Sequence, residues 1–295
     1  MKLDLHIGDT RWRIACDTVR APRTLAALSA TLPAALQLHT PKIAGQHIYW
    51  HAPFVEDAEG GVDVMEAQPG AFLYWPARQF LELIFAPLQA ETAEVTLLGQ
   101  IEGGLPELQA LGLKLREQHG RQLFSGSLTD AETGREAIAS PSPLPADLVA
   151  LKQRLWDASP ADIETLLASR ATMHPAGPLF LAESEARILH ELLWWVRGGL
   201  SREEPRISRR IAAVACNKAG TRLRDFCHLG ESAAAIFALE AAFGREEIPL
   251  AELTDEAILC AGRLAAWLDL RIPWSAVNEA ARSALDEAGP EATAS

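Results

Sequence analysis

The chain opens on alternation. Leu3, Leu5 and Ile7 alternate with Lys2, Asp4 and His6, Gly8-Asp9-Thr10 makes a turn, and Trp12, Ile14 and Cys16 alternate with Arg11, Arg13 and Asp17. That pattern predicts a hairpin with one buried face. Pro22 then starts a short helix, with Leu25, Leu28 and Leu32 at helical spacing, and Pro33 and Pro41 interrupt the chain after it. Strand-like segments recur at about 43–51, 62–66, 71–75, 80–85 and 93–102, separated by Pro53, Gly60-Gly61, Pro69-Gly70, Pro76 and Pro87. Residues 105–118 predict a helix and 121–127 a last strand. Many short strands with one or two helices suggest a small closed β-barrel.

Residues 128–145 are polar and proline-rich and read as a linker. After them the period becomes 3.6. Ser159-Pro160-Ala161-Asp162 is a helix start, with Ser159 as N-cap. Ile188, Leu189, Leu192, Leu193 and Val196 form a stripe that Gly198-Gly199 ends. Further helices fit about 207–217, 220–228, 231–243, 255–270 and 275–287. The expectation is an α+β chain of two domains: a β-barrel with short helices over 1–127 and an all-helical bundle over 146–295.

Composition narrows the function. A length of 295 residues suits two cores. The net charge of −12 argues against nucleic acid as a partner, because phosphate binding needs a basic face. Any anionic substrate must meet a local cluster of Arg or Lys. Cys16, Cys216, Cys227 and Cys260 form no CxxC pair and read as buried thiols of a reducing compartment. No apolar run approaches the roughly 20 residues of a membrane span, so a cytoplasmic protein without a membrane partner is expected. There is no GxGxxG after a strand, no GxxxxGK[ST], no GxSxG and no HExxH, which argues against nicotinamide and phosphate-loop chemistry.

Candidate chemistry collects in two segments, 46–51 and 71–85. The two tyrosines of the chain, Tyr49 and Tyr74, and three of its eight histidines, His39, His47 and His51, lie close together. In a strand, His47, Tyr49 and His51 share one face and Ile48 and Trp50 the other. That face is either a lined pocket or a solvated polar surface. A metal held by His47 and His51 is a weaker alternative. In Phe80-Leu81-Glu82-Leu83-Ile84, Glu82 sits between two large apolar residues on one face. If that face is buried, desolvation favours the neutral acid and could poise it for general acid/base work; otherwise Glu82 points outward or pairs with Arg. Arg20, Arg23, Lys42 and Arg78 are the cations nearest in sequence, and could hold carboxylates or simply face solvent. The helical half offers Trp194, Trp195, Trp267 and Trp274, read as core or as a homo-oligomer interface, and no recognisable chemistry.

These residues carry a resemblance. The order of hairpin, helix after "APRT", aromatic strand, "QPGAFLYWP" and "LELIFAPL" resembles the bacterial cyclophilin-like barrels over residues 1–127, without the Phe-His-Arg and Gln-Gly-Gly motifs of prolyl isomerases. With a helical bundle appended, the layout is similar to that of the cucumopine synthase family. The resemblance implies condensation of L-histidine with 2-oxoglutarate without a redox cofactor, by a Pictet–Spengler-type sequence. Such chemistry needs an acid for water loss and a base for rearomatisation. Glu82 is the candidate for both, and Tyr74 and Tyr49 for hydrogen bonding. His39, His47 and His51 would carry protons. Trp50 or Trp75 would stack on the substrate ring beside Phe80. No cofactor or metal is called for, and the partners would be an amino acid and a 2-oxo acid. The alternative is a non-catalytic module that binds a small molecule or peptide.

Overall fold

A computed structural model describes residues 1–42, 45–88, 92–132, 142–169 and 176–288. The hairpin is β1 (Lys2–Ile7) and β2 (Thr10–Cys16), followed by α1 (Pro22–Ser29). Then come β3 (Ala34–Leu38), β4 (His47–His51), β5 (Val62–Asp63), β6 (Ala71–Trp75), β7 (Phe80–Ile84), β8 (Glu94–Ile101), α2 (Leu105–Gln118) and β9 (Phe124–Asp130). The strands form one antiparallel sheet in the order β3-β9-β1-β2-β8-β6-β7-β4, with β5 added on β8. The ends of that order meet at a bridge in which the His39 N–H donates to the Tyr49 carbonyl at 2.8 Å and the Tyr49 N–H to the His39 carbonyl at 3.1 Å. The sheet is therefore almost a closed barrel.

The alternation read from the sequence sets what lies inside. Leu3, Leu5, Ile14, Ile48, Trp50, Phe72, Tyr74, Leu81 and Leu83 are buried in one core. The opposite face of β4 and β7 carries His47, Tyr49, His51, Phe80, Glu82 and Ile84, and is buried as well. A surface strand would be wet on that side. Here the helical half covers it.

That half comprises α3 (Ala146–Asp157), α4 (Ala161–Ala168), α5 (Ala176–Gly199), α6 (Pro205–Asp225), α7 (Gly230–Phe243), α8 (Leu250–Asp269) and α9 (Trp274–Ala288). Its core has α8 at the centre, buried from Leu253 almost without interruption to Asp269. Gly120, just past α2, joins the halves. Its φ is +78°, and a Cβ there would stand 2.3 Å from the Pro273 nitrogen in the α8–α9 turn. Only glycine combines that backbone with that approach.

Several expectations need correction. β3 was not expected, because Ala-Ala-Leu-Gln-Leu has no strand preference; pairing with β9 overrides it. The segment 62–66 is a two-residue strand followed by a 3-10 turn at Val64–Glu66. β9 runs on to Asp130, opposite Leu3, three residues into the expected linker. Residues 133–141 of that linker, and residues 43–44 of the expected strand at 43–51, lie outside the described residues. Helices expected at 207–217 and 220–228 are one helix, α6; Gly220 lies inside it where α7 presses close, its Cβ position 2.7 Å from Phe237. Helix α4 begins after Pro160, and the Ser159 hydroxyl caps nothing. On α5, Leu189, Leu193 and Val196 are buried, whereas Ile188 and Leu192 face outward. Among the described residues no helix is long and apolar enough to cross a membrane.

Candidate active site

The outer faces of β4 and β7 meet in register. Tyr49 stands opposite Glu82, His51 opposite Phe80 and His47 opposite Ile84. The Tyr49 ring stacks on Phe80 at 4.0 Å and on His39 at 4.9 Å, and His51 meets Phe80 edge-on at 4.9 Å. His47 Nε2 lies 3.8 Å from Glu82 Oε1. These side chains are all buried, so their polar atoms depend on partners across the junction.

The bundle supplies those partners. Asp269, the last residue of α8, accepts from His39 Nδ1–H at 2.7 Å, and the Tyr49 hydroxyl lies 3.4 Å from the same oxygen. His119 Nε2 is 3.5 Å from that oxygen, and His119 Nδ1 lies 3.1 Å from the Ile272 carbonyl. The other Asp269 oxygen accepts from Trp274 Nε1–H at 3.0 Å and lies 3.4 Å from the Lys42 ammonium. Lys42 also pairs with Glu183 of α5, which Arg187 Nε approaches at 3.4 Å. Further along α5, His190 Nε2 lies 3.2 Å from Gln79 Oε1 and accepts from Trp194 Nε1–H at 3.2 Å. Gln79 sits at φ +58°, uncommon for a residue with a side chain, and its amide also donates to the Ala52 carbonyl.

Burial sets the charge states. Burial pushes His39 down to about 4, against the pull of Asp269. Burial, helped by the charge of Arg116, takes His47 down to about 3. His51 and His190 fall well below their usual range for the same reason, with Arg187 adding to it. Burial would raise Asp269, but hydrogen bonds from His119 and His39 and the charge of Lys42 outweigh it and hold the carboxyl well below its usual range. Burial and the nearby Asp269 push the Tyr49 hydroxyl well up. At neutral pH the cluster thus holds an ionised Asp269 and neutral His39. With Nδ1–H committed to Asp269, the buried Nε2 of His39 keeps its lone pair, as a proton acceptor of fixed orientation.

A cleft of about 360 Å³ leads toward this cluster. It is lined by Thr40, Lys42, Gln46, Arg116, Trp274 and Arg282, among others. Lys42 and Trp274 belong to both cleft and cluster. One group among the described residues has ligand atoms convergent enough for a metal: His39, His119 and Asp269, within 4.8 Å of one another. The fit is poor, because the Lys42 ammonium stands beside the same carboxylate and would oppose a cation. The structure brings His47 and His51 into no such group.

Of the residues singled out from sequence, Glu82, Tyr49, His39, His47, His51, Phe80 and Lys42 come together at the junction. The others do not. Tyr74 faces the opposite way, because Leu73 and not Tyr74 stands opposite Glu82. It is buried in the barrel core, where its hydroxyl accepts from the Glu56 N–H at 3.2 Å. Trp50 packs inside the barrel on Phe72. Trp75 is half-buried on another outer patch, with Arg78, which pairs with Glu191. Arg23 pairs with Glu59 at the surface, and Arg20 is exposed. Asp269, His119, Glu183, Arg187, Gln79 and His190 were missed. One signal was available for Asp269: an acid at a helix C-terminus opposes the dipole and needs a reason to be there.

The chain has the fold of McbB. The structure of McbB in complex with tryptophan superposes with a TM-score of 0.73 at 16% identity, covering 94% of this chain and 99% of that one. The solution structure of the hypothetical protein AF2241 from Archaeoglobus fulgidus covers 44% of the chain at 20% identity with a TM-score of 0.34. No family model and no curated protein matches the sequence.

Proposed function

We propose that this chain is a condensing enzyme of Pictet–Spengler type, joining an amino acid that carries an electron-rich nitrogen heteroaromatic ring to a carbonyl compound. The observation that carries the reading is the buried pairing of Tyr49 and Glu82 beside a His39 oriented by Asp269, in a fold whose neighbour McbB holds tryptophan. The finer proposal keeps L-histidine as the amine and 2-oxoglutarate as the oxo acid, with L-tryptophan as the first comparison.

The amine adds to the carbonyl carbon, and water leaves once its oxygen is protonated. The ring carbon then attacks the imine carbon, forming the new C–C bond. Loss of the proton from that ring carbon restores aromaticity, and the imine nitrogen ends as a secondary amine. Glu82 is the candidate to give the first proton and accept the last. His39 Nε2 is an alternative acceptor. The Tyr49 hydroxyl, held protonated by burial, can donate to the carbinolamine oxygen. A dry junction strengthens each of these interactions and holds the reactants together. Lys42 and Arg116 at the cleft offer cations for carboxylates. Both substrates bring the required atoms, and the sequence contains no nicotinamide-binding fingerprint.

The test is incubation of the protein with L-histidine or L-tryptophan and 2-oxoglutarate, without reductant, followed by mass spectrometry. A product at the summed mass less one water is expected, at a rate above the spontaneous background. In Glu82→Gln that rate should fall roughly 10²–10⁴-fold with the fold intact, the range for a lost general acid/base. Ligands that stabilise the protein yet yield no product would favour a binding module instead.

A further inference from the structure

Arg187 lies on α5 one turn after Glu183, and its side chain is 11% exposed. Its Nε is taken up by Glu183, and its guanidinium lies 5.4 Å from the centre of the Phe80 ring. Nη1 and Nη2 are buried and meet no hydrogen-bond partner among the described residues. Glu183 is itself bonded to Lys42, so the outer fork of Arg187 faces no anion of its own. Nearby, both nitrogens of His51 and Nε2 of His39 are buried without partners too. His51 shares Phe80 with Arg187, and His39 lies 5.7 Å from His51 ring to ring. Donors and lone pairs from α5, β4 and the residue after β3 therefore border one place, and none is satisfied among the described residues.

Unpartnered buried polar groups are rare because each one costs stability, and a guanidinium costs most. Water could serve the imidazoles. A charged fork with two parallel donors calls for a planar anion with two oxygens, which is a carboxylate. Glu183 fixes the side chain through Nε and leaves the far edge free to receive one. We propose that Arg187 binds the α-carboxylate of the amino-acid substrate, placing the rest of that substrate against Phe80, Tyr49 and His51. The assignment rests on the condensing reading for the identity of the substrate, though not for the presence of a carboxylate site. It gives the bundle a direct part in substrate recognition.

Calorimetric titration of the full chain with L-tryptophan, L-histidine, tryptamine and histamine tests it. The wild type should bind each amino acid at least tenfold more tightly than the matching amine. In Arg187→Gln that ratio should fall close to one, with affinity for the amines unchanged, which also reports an intact junction. Arg187→Lys keeps the buried charge without the fork, and should lose at least threefold of the ratio; it decides the matter if Arg187→Gln does not fold. An unchanged ratio in the variants, or no carboxylate preference in the wild type, overturns the assignment. A preference that depends on Arg187 without any condensed product sinks the condensing reading and leaves this site standing. Product formation with an unchanged ratio does the reverse.

Discussion

The junction should make the fold sensitive to acid well above the pH at which carboxylates protonate. His39, His47, His51 and His190 are buried and neutral, His39 down to about 4 and His47 to about 3. In the unfolded chain each would titrate near ~6.5. Between those limits the unfolded chain binds protons that the native one refuses, so stability is full above pH 6.5 and falls as pH drops toward 4. Each proton changes stability by ~1.4 kcal/mol per pH unit, and four give a ceiling of about 5 kcal/mol per unit. A marginally stable domain has only about 5–15 kcal/mol to lose, so about one to three units below pH 6.5 should unfold it. Asp269 acts in the same direction at lower pH, since its depressed value means stability lost as pH falls through it. Urea unfolding at pH 7.5, 6.5, 6.0 and 5.5 measures the slope. His51→Asn removes one titrating group and should lower the proton uptake on unfolding by about one. A stability that stays flat from pH 7.5 to 5.5, or an uptake unchanged in His51→Asn, would refute the buried neutral state.

Two further outcomes separate the junction from the barrel core. Asp269→Asn removes the charge that holds the tautomer of His39 and pairs with Lys42; turnover should fall roughly 10²-fold or more while the amino acid still binds, measured by steady-state rates beside calorimetry. Tyr74→Phe deletes one hydrogen bond, to the Glu56 N–H, so it should cost about 1 kcal/mol in urea unfolding and leave turnover unchanged. A large activity loss there would bring Tyr74 back into the chemistry.

The strand parities were legible because the barrel obeys a period of two. Grouping His47, Tyr49 and His51 apart from Ile48 and Trp50 needed no structure, and neither did placing Glu82 beside Phe80. What parity cannot give is register. Tyr74 drew attention as the second of two tyrosines, yet its face is set by the pairing of β6 with β7, where Leu73 takes the place opposite Glu82. Of the four cations nearest in sequence, Lys42 reaches the junction and the other three do not, for a related reason. Arg20 and Arg78 sit on connections and Arg23 on α1, all at the surface, whereas the guanidinium buried at the junction beside Phe80 comes from residue 187. Helical periodicity marks α5 and α8 as packed elements and is silent on what they pack against. Asp269 looks like one more polar residue at a helix end until His39, 230 positions earlier, is found 2.7 Å away.

That distance explains why the two halves belong in one chain. The pocket face of β4 and β7 lies outside the barrel, where alone it would be wet, its imidazoles would titrate near neutrality, and Tyr49 and Glu82 would be hydrated. Covering it with α5 and α8 lowers the local dielectric and brings in Asp269, Glu183 and Arg187 together. The cover brings two carboxylates and one guanidinium, and Lys42 of the barrel half supplies the remaining positive charge, so these four groups balance only across the junction. Their arrangement leaves the outer fork of Arg187 and Nε2 of His39 unused. A bundle that served only to seal the barrel would have closed over it with apolar side chains, which pack more stably than buried ion pairs. The polar lining is retained at a cost in stability, and the groups it leaves unsatisfied are those that a substrate bearing a carboxylate and a labile proton would satisfy.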